Sequence, residues 1–302
     1  MESYLAAMAV FAGLSALMAL ALNLVWGLAG MVNLGLVGFY AIGAYTTALL
    51  CVKLGWPPVA GVLAACGLSA CIGGIMAVIT ARLKGDYLAI VTLGFAEIVR
   101  LVASNEIWLT GGTTGISNIE GLPRDVLSPL QVNLVYAALV WIVVVAAAVL
   151  LARLSKAPFG RVLRAIREDQ MVAAVAGKQV LRFKIQAFAV SSGVLGLAGG
   201  LYAHYIGYVA PDAFTPLITI TIVLALTAGG TGSMRGAILG AILVVALTEG
   251  TRFLGAVLPD LSPVRIASLR EGLIGLALIL ALSLRPDGLL PETLPKLKPE
   301  PT

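Results

Sequence analysis

The chain has 302 residues, 60% of them apolar and 12% charged, with a mean hydropathy of +1.01. A soluble fold of this length cannot hide so much apolar surface, whereas a bilayer accepts it, so composition excludes a soluble globule. The net charge of +5 does not point to nucleic acid, because the basic residues gather in loops without interleaved aromatics and no nucleic-acid-binding module is present.

A membrane span needs ~20 largely apolar residues. Nine candidates follow in chain order: 4–26, 33–52, 58–81, 86–104, 130–152, 186–208, 214–229, 237–257 and 267–284. The expected fold is all-α, a polytopic membrane helical bundle of about nine spans, with eight to ten compatible with the pattern. Glu2, rather than a Lys or Arg, precedes the first apolar run, which reads as a retained span and not a cleaved signal peptide. Cys51, Cys66 and Cys71 lie in or beside apolar spans without metal spacing and read as small buried hydrophobes. The longest external segment is 105–129, which contains Thr110-Gly-Gly-Thr-Thr-Gly115.

Residues 153–184 interrupt the apolar pattern. They hold eight of the 20 basic residues and only two acids, Glu168 and Asp169. Short Lys/Arg-rich loops stay in the cytoplasm, so alternation places the N-terminus outside and the C-terminus inside. That arrangement puts 14 basic residues inside and five outside, with Arg100 in or beside a span. Val162, Leu163, Ile166, Met171 and Val175 fit one apolar face of a short amphipathic helix, to be read either as a loop on anionic headgroups or as a helix inserted into a partner's groove. Gly177-Lys178 lacks the rest of a phosphate-binding loop, so ATP hydrolysis would fall to another chain.

Beyond the loop, the segment 229–240 is rich in glycine, and its helix is expected to break. Gly232, Gly236 and Gly240 form a four-residue ladder, as do Ser192, Gly196 and Gly200. Such ladders either let helices approach closely or permit unwound backbone beside a cavity. The two Gly-rich stretches, 27–43 and 229–240, could mark a binding site at their interface. Glu97 and Arg100 are three residues apart and share a helix face, as do Glu249 and Arg252; each pair is either structural or part of a pathway. His204, in an aromatic cluster near an outer interface, reads as interfacial rather than catalytic. After Arg285 the tail carries five prolines and is expected to be irregular. Residues 1–290 thus form the transmembrane domain, with the basic loop at about 153–185, and 291–302 form a cytoplasmic tail.

Several motifs in this order resemble one known family. They are Leu22-Asn-Leu-Val-Trp-Gly-Leu-Ala-Gly30, Leu34-Gly-Leu-Val-Gly-Phe-Tyr-Ala-Ile-Gly-Ala-Tyr45, Gly85-Asp-Tyr-Leu-Ala-Ile-Val-Thr-Leu-Gly-Phe-Ala-Glu-Ile-Val-Arg100 and Thr110-Gly-Gly. Gly160-Arg-Val-Leu-Arg-Ala-Ile-Arg-Glu-Asp169, Gly229-Gly-Thr-Gly-Ser233 and Arg285-Pro-Asp-Gly-Leu-Leu290 complete the set. Over nearly its whole length the chain is similar to the inner-membrane permeases of bacterial branched-chain amino-acid ABC importers, specifically the LivM-type subunit.

That resemblance implies a non-catalytic translocation subunit in the bacterial inner membrane. Its partners would be a second, LivH-type permease chain, two cytoplasmic ABC ATPases and an external substrate-binding protein, within a lipid bilayer. No cofactor and no metal are implied. The ATPase-coupling segment maps onto 158–184, with Gly160, Arg161, Arg164, Arg167, Glu168, Asp169 and Gly177 as its candidate residues. Members often carry a Glu in the Ala-rich part before the glycine, where this chain has Ala173-Ala-Val-Ala176. Candidate pathway residues are Asn33, Gly35, Gly38, Tyr40, Glu97, Gly229 and Gly230. The expected cargo is a branched-chain amino acid; urea, short amides and aromatic acids are the family's alternatives. A secondary transporter is the rival class, with Glu97 or Glu249 as the group it would use for ion coupling.

Overall fold

The structure is a computed structural model that describes residues 2–83, 85–122, 128–250, 272, 275, 276, 279, 283, 285 and 288–292. Eleven α-helices are found among them. The first, α1 (Glu2–Leu22), continues as a π-helical turn over Asn23–Leu28, and α2 (Leu36–Leu54), α3 (Pro58–Ile79) and α4 (Asp86–Asn105) follow. The short α5 (Ile107–Thr110) precedes the long α6 (Pro129–Lys156). Two short helices, α7 (Pro158–Glu168) and α8 (Gln170–Val175), lead into α9 (Val180–Ile206), α10 (Pro216–Gly229) and α11 (Met234–Gly250).

Local chemistry sets the helix ends. Ser128 and Gln131 form a capping box at the start of α6, followed by Pro129 at the first helical position; both satisfy or dispense with N–H groups that have no partner within the helix. Asp169 caps α8 by accepting from the backbone N–H groups of Met171 and Val172 at 2.7 and 3.1 Å. Gly55 and Gly207 end α2 and α9 in the left-handed conformation, which glycine adopts without steric cost.

Seven of the described helical segments are long and apolar enough to cross a membrane: Glu2–Leu28, Leu36–Leu54, Pro58–Ile79, Asp86–Asn105, Pro129–Lys156, Val180–Ile206 and Pro211–Gly229. The span expected at 237–257 begins at Met234 and is described for 17 residues, to Gly250. The span expected at 267–284 falls almost wholly outside the described residues, as do Arg252 and the tail from 293 onward.

The bundle is organised around α9, which packs along α3 and α2, while α1 packs against α6 and α11. Small residues let these backbones approach. Gly43 of α2 faces Gly196 of α9, and Gly73 and Ser69 of α3 face Ser192 and Gly196. Both four-residue ladders therefore serve close packing: Ser192, Gly196 and Gly200 meet α3, and Gly236 and Gly240 meet Gly229 of α10. Hydroxyls add bonds between helices, with Ser191 donating to the Ala21 carbonyl at 2.8 Å and Thr47 to the Gly61 carbonyl at 3.2 Å; such bonds contribute on the order of 0.6 kcal/mol each. In contrast, α3, α4 and α6 leave most of their surface facing outward, with Leu63, Ile90, Ile98 and Ile142 exposed, as lipid contact requires.

One amphipathic helix does not run through the basic segment. The chain breaks at Asp169 (φ −152°), which caps α8 instead of continuing α7. Leu163 and Ile166 are consequently buried, whereas Met171 and Val175 are 71% and 89% exposed, so the expected common apolar face is split between two helices. His204, in the last turn of α9, is packed within the chain. It is buried, its Nδ1 bonded to the Glu120 carbonyl and its Nε2 3.9 Å from Cys51 Sγ, because the segment 116–122 folds over it. An isolated antiparallel bridge between Ile116 and Val209 and the Tyr136 hydroxyl, which accepts from Leu122 N–H at 3.1 Å, hold that segment down.

Candidate translocation and coupling sites

Two clusters contain most of the residues singled out from the sequence. The first is a turn between the π-helical end of α1 and the start of α2. Asn33 is buried, and its side-chain oxygen accepts from the Gly35 N–H at 2.8 Å. The neighbouring Leu34 N–H donates to Thr92 Oγ1 of α4 at 3.0 Å. Gly35 lies on the Thr92 backbone, and a Cβ added to Gly38 would stand 2.8 Å from Ala96 Cα. Asn33, Gly35 and Gly38 therefore share one α2–α4 contact.

Glu97 follows Ala96 on α4 and pairs with Arg100, whose Nε donates to Glu97 Oε2 at 3.0 Å. The side chains are 38% and 27% exposed, respectively. One turn earlier, Gly94 has open space around it. This pair lies in the C-terminal half of α4 on a face that the chain itself does not fully cover, and lipid does not solvate charge. Tyr40 points elsewhere, into an aromatic cluster with Tyr202 and Phe214 at ring separations of 5.5 and 5.6 Å. Gly229 and Gly230 form a separate group at the expected break, where Gly230 has φ +115° and residues 230–233 are non-helical. The two Gly-rich stretches do meet, but through Gly27 and Gly232. Buried Asn23 lies between them and accepts from the Gly232 N–H at 2.7 Å.

The second cluster is the basic segment. Gly160 sits against the Ser155 backbone, where a side chain has no room, and so sets the tight turn from α6 into α7. Arg161, Glu168 and Asp169 stay exposed, while Arg164 and Arg167 turn inward. Arg164 Nε donates to Glu292 at 2.6 Å and its Nη1 to the Ser155 carbonyl at 3.0 Å. Arg167 Nη1 donates to Glu292 at 2.9 Å and to the Gly27 carbonyl at 2.5 Å. Burial works against the charge on Arg167, but Glu292 and Glu168 more than offset it and raise the pKa above the ordinary arginine value. Gly177, at φ +76°, turns the chain from α8 into α9.

Between α7 and α8 lies an open, largely apolar groove of about 540 Å³, lined by Val162, Ala165, Val172 and Ala173 together with Arg161, Lys178, Glu168 and Asp169. Met171, Val172 and Val175 form an exposed apolar tip beside it. Among the described residues no group of His, Cys, Asp and Glu is placed to hold a metal ion. Asn23 and Glu292 were not singled out from the sequence. Asn23 had a signal, being a polar residue in an apolar run; Glu292, in a Pro-rich tail, had none.

Residues 4–282 match the family described as branched-chain amino acid transport system / permease component. The chain is 36% identical to the high-affinity branched-chain amino acid transport system permease protein LivM of Escherichia coli (strain K12), over 93% of this chain and 69% of that protein. Identity and coverage are the same for the LivM protein of Salmonella typhimurium. A probable branched-chain amino acid transport permease protein LivM of Methanocaldococcus jannaschii is 29% identical over 93% of this chain and 91% of its own length. No solved structure matches the chain.

Proposed function

Since the chain belongs to the branched-chain amino acid transport system permease family, we propose that it is the translocation subunit of an ABC importer that carries leucine, isoleucine or valine into the bacterial cytoplasm. In this reading it spans the inner membrane about nine times, with the N-terminus outside and the C-terminus inside. It pairs with a second permease chain, two cytoplasmic ATPases and an external binding protein.

The observation that carries the reading is the projection made by α7 and α8. A basic two-helix unit is held between two long apolar helices, α6 and α9, and exposes Met171, Val172 and Val175 at its tip beside an open groove. We read the apolar side chains exposed on this basic loop as the surface that a partner chain covers. The ATPases bind there, and their closure moves α7, while a loaded binding protein engages the opposite face. Each can drive the exchange between outward and inward states only by preferring one of them. The amino acid crosses beside the α2–α4 contact of Asn33, Gly35 and Gly38, where Glu97 and Arg100 require water or a second chain.

The test is uptake of radiolabelled leucine into proteoliposomes containing the chain with its partner permease and ATPases, with binding protein supplied outside. Uptake that requires both ATP and the binding protein, and that unlabelled isoleucine and valine inhibit, is expected. Competition by urea, short amides or aromatic acids instead would reassign the cargo. Gradient-driven uptake by the isolated chain would overturn the importer reading in favour of a secondary transporter.

A further inference from the structure

Two ion pairs between separate parts of the chain converge on one carboxylate. The Glu292 side chain is 13% exposed and receives Arg164 on one oxygen and Arg167 on the other. Those arginines are three residues apart on α7 and so project from one face of it. Through Arg164 the carboxylate is joined to the Ser155 carbonyl at the end of α6. Through Arg167 it is joined to the Gly27 carbonyl in the π-helical turn of the first span. Gly232 lies directly over it, since a Cβ there would stand 2.6 Å from Glu292 Oε2.

The backbone around Glu292 is fixed as well. Leu289 and Leu290 donate to the carbonyls of Ala228 and Gly229 in the last turn of α10, each at 2.9 Å. Gly288 lies against Gly230. The segment 288–292 thus follows the α10–α11 break, and its last described residue reaches Arg164 and Arg167 on α7. A carboxylate between two guanidinium groups, largely out of water, makes short charge-assisted bonds that are stiff in direction and distance.

We propose that Glu292 is a positioning residue for transport, a strut that makes α7, the π-helical end of the first span and the α10–α11 break move together. The proposal rests on the reading of α7 and α8 as the ATPase-coupling unit. Motion delivered to α7 passes through Arg167 and Glu292 into the two places where the spans depart from regular α-helix. Without the carboxylate, Arg164 loses its acidic partner and Arg167 keeps only the exposed Glu168, and α7 can shift without carrying the spans along. ATP hydrolysis then continues while transport falls behind it.

The experiment uses the assembled importer in proteoliposomes and measures leucine uptake and ATP hydrolysis together for wild type, E292A, E292Q and E292D. The expected result is a fall of about 10-fold in uptake per ATP hydrolysed for E292A and E292Q, the scale set by losing charge-assisted bonds. Half-saturation by the loaded binding protein is expected to be unchanged, and E292D to recover most of the ratio. E292Q keeps the side chain's size, so it reads the loss of charge if E292A does not assemble. Normal uptake per ATP in both E292A and E292Q overturns the proposal. So does failure of all three variants to assemble, which would make Glu292 a folding residue. A wild-type importer with no ATP-dependent uptake removes the coupling reading and, with it, the strut; an active wild type with unaffected variants removes only the strut.

Discussion

Substituting Gly43 by alanine tests the close packing of α2 on α9. A methyl group at Gly43 would lie 2.5 Å from Gly196 Cα and 2.6 Å from the Gly196 carbonyl carbon, against ordinary contact at 3.4–4 Å. Both neighbours are backbone, so no side chain can rotate away, and the helices must separate by about 1 Å. A gap of that size forfeits roughly a quarter to a half of the dispersion energy of each contact it opens. The overpacking cost is about 1–3 kcal/mol, opposed by about 0.5–1 kcal/mol that alanine gains over glycine inside a helix. The net expectation is a loss of about 0–2.5 kcal/mol, so the two variants compared below should differ by the overpacking cost itself, about 1–3 kcal/mol.

Gly74→Ala is the matched control. It lies on α3, where an added Cβ meets only Ile185 Cγ2 at 3.8 Å and Ala189 Cβ at 3.9 Å. Here the helix term acts alone, and stability should hold or rise slightly. SDS-induced unfolding of the purified protein in detergent micelles, followed by circular dichroism, measures both variants against wild type. Equal midpoints for Gly43→Ala and Gly74→Ala would refute the idea that backbone contact at Gly196 governs this crossing.

Gly38→Leu should abolish uptake at normal expression, because its first side-chain carbon already stands 2.8 Å from Ala96 Cα; undiminished transport would remove Gly38 from both the contact and the pathway. Arg100→Leu leaves Glu97 without its partner in a span, so it should lower the amount of folded protein in the membrane more than the double change Glu97→Gln/Arg100→Leu does. Fluorescence-detected size-exclusion profiles decide this, and strictly additive losses would count against the pair. Ser128→Ala removes the α6 cap and should cost about 1 kcal/mol, read as a lower melting temperature; no change would show that the capping bonds are not formed. Val175→Asp, at a site 89% exposed, should leave the fold intact and lower ATPase co-purification by about 10-fold, the effect of introducing a charge into an apolar contact. Unchanged co-purification would move the docking surface away from α8.

Local pattern and long-range contact divide what was readable from residues alone. Apolar runs are local, so the described spans fall close to their expected positions, and the glycines at 229–232 announced the break after α10. The pairing of Glu97 with Arg100 followed from a spacing of three, which a helix turns into adjacency. The apolar face drawn through Val162, Leu163, Ile166, Met171 and Val175 assumed one continuous helix. It was misled by Asp169, whose short carboxylate competes for backbone N–H groups and starts a new helix instead. The Glu292 cluster was unreadable for a different reason. Its partners are 125 and 128 residues away, and no periodicity connects a Pro-rich tail to a basic loop. Burial of His204 likewise depends on a distant segment, through the Glu120 carbonyl.

The lengths of α6 and α9 have a consequence for where the basic segment sits. At 28 and 27 residues, with a rise of 1.5 Å each, they measure about 42 and 40 Å. The hydrocarbon core is about 30 Å thick, and a tilt of ~20° shortens either helix by only a few ångströms. Roughly 8–10 Å of this helical pair must therefore stand outside the oil, shared between its ends. Arg153 and Lys156 at the end of α6, and Arg182 and Lys184 at the start of α9, occupy the overhang beside α7 and α8. The projection then stands on a short pedestal among the lipid phosphates. Its electrostatic surroundings then vary with the anionic lipid content and thickness of the membrane.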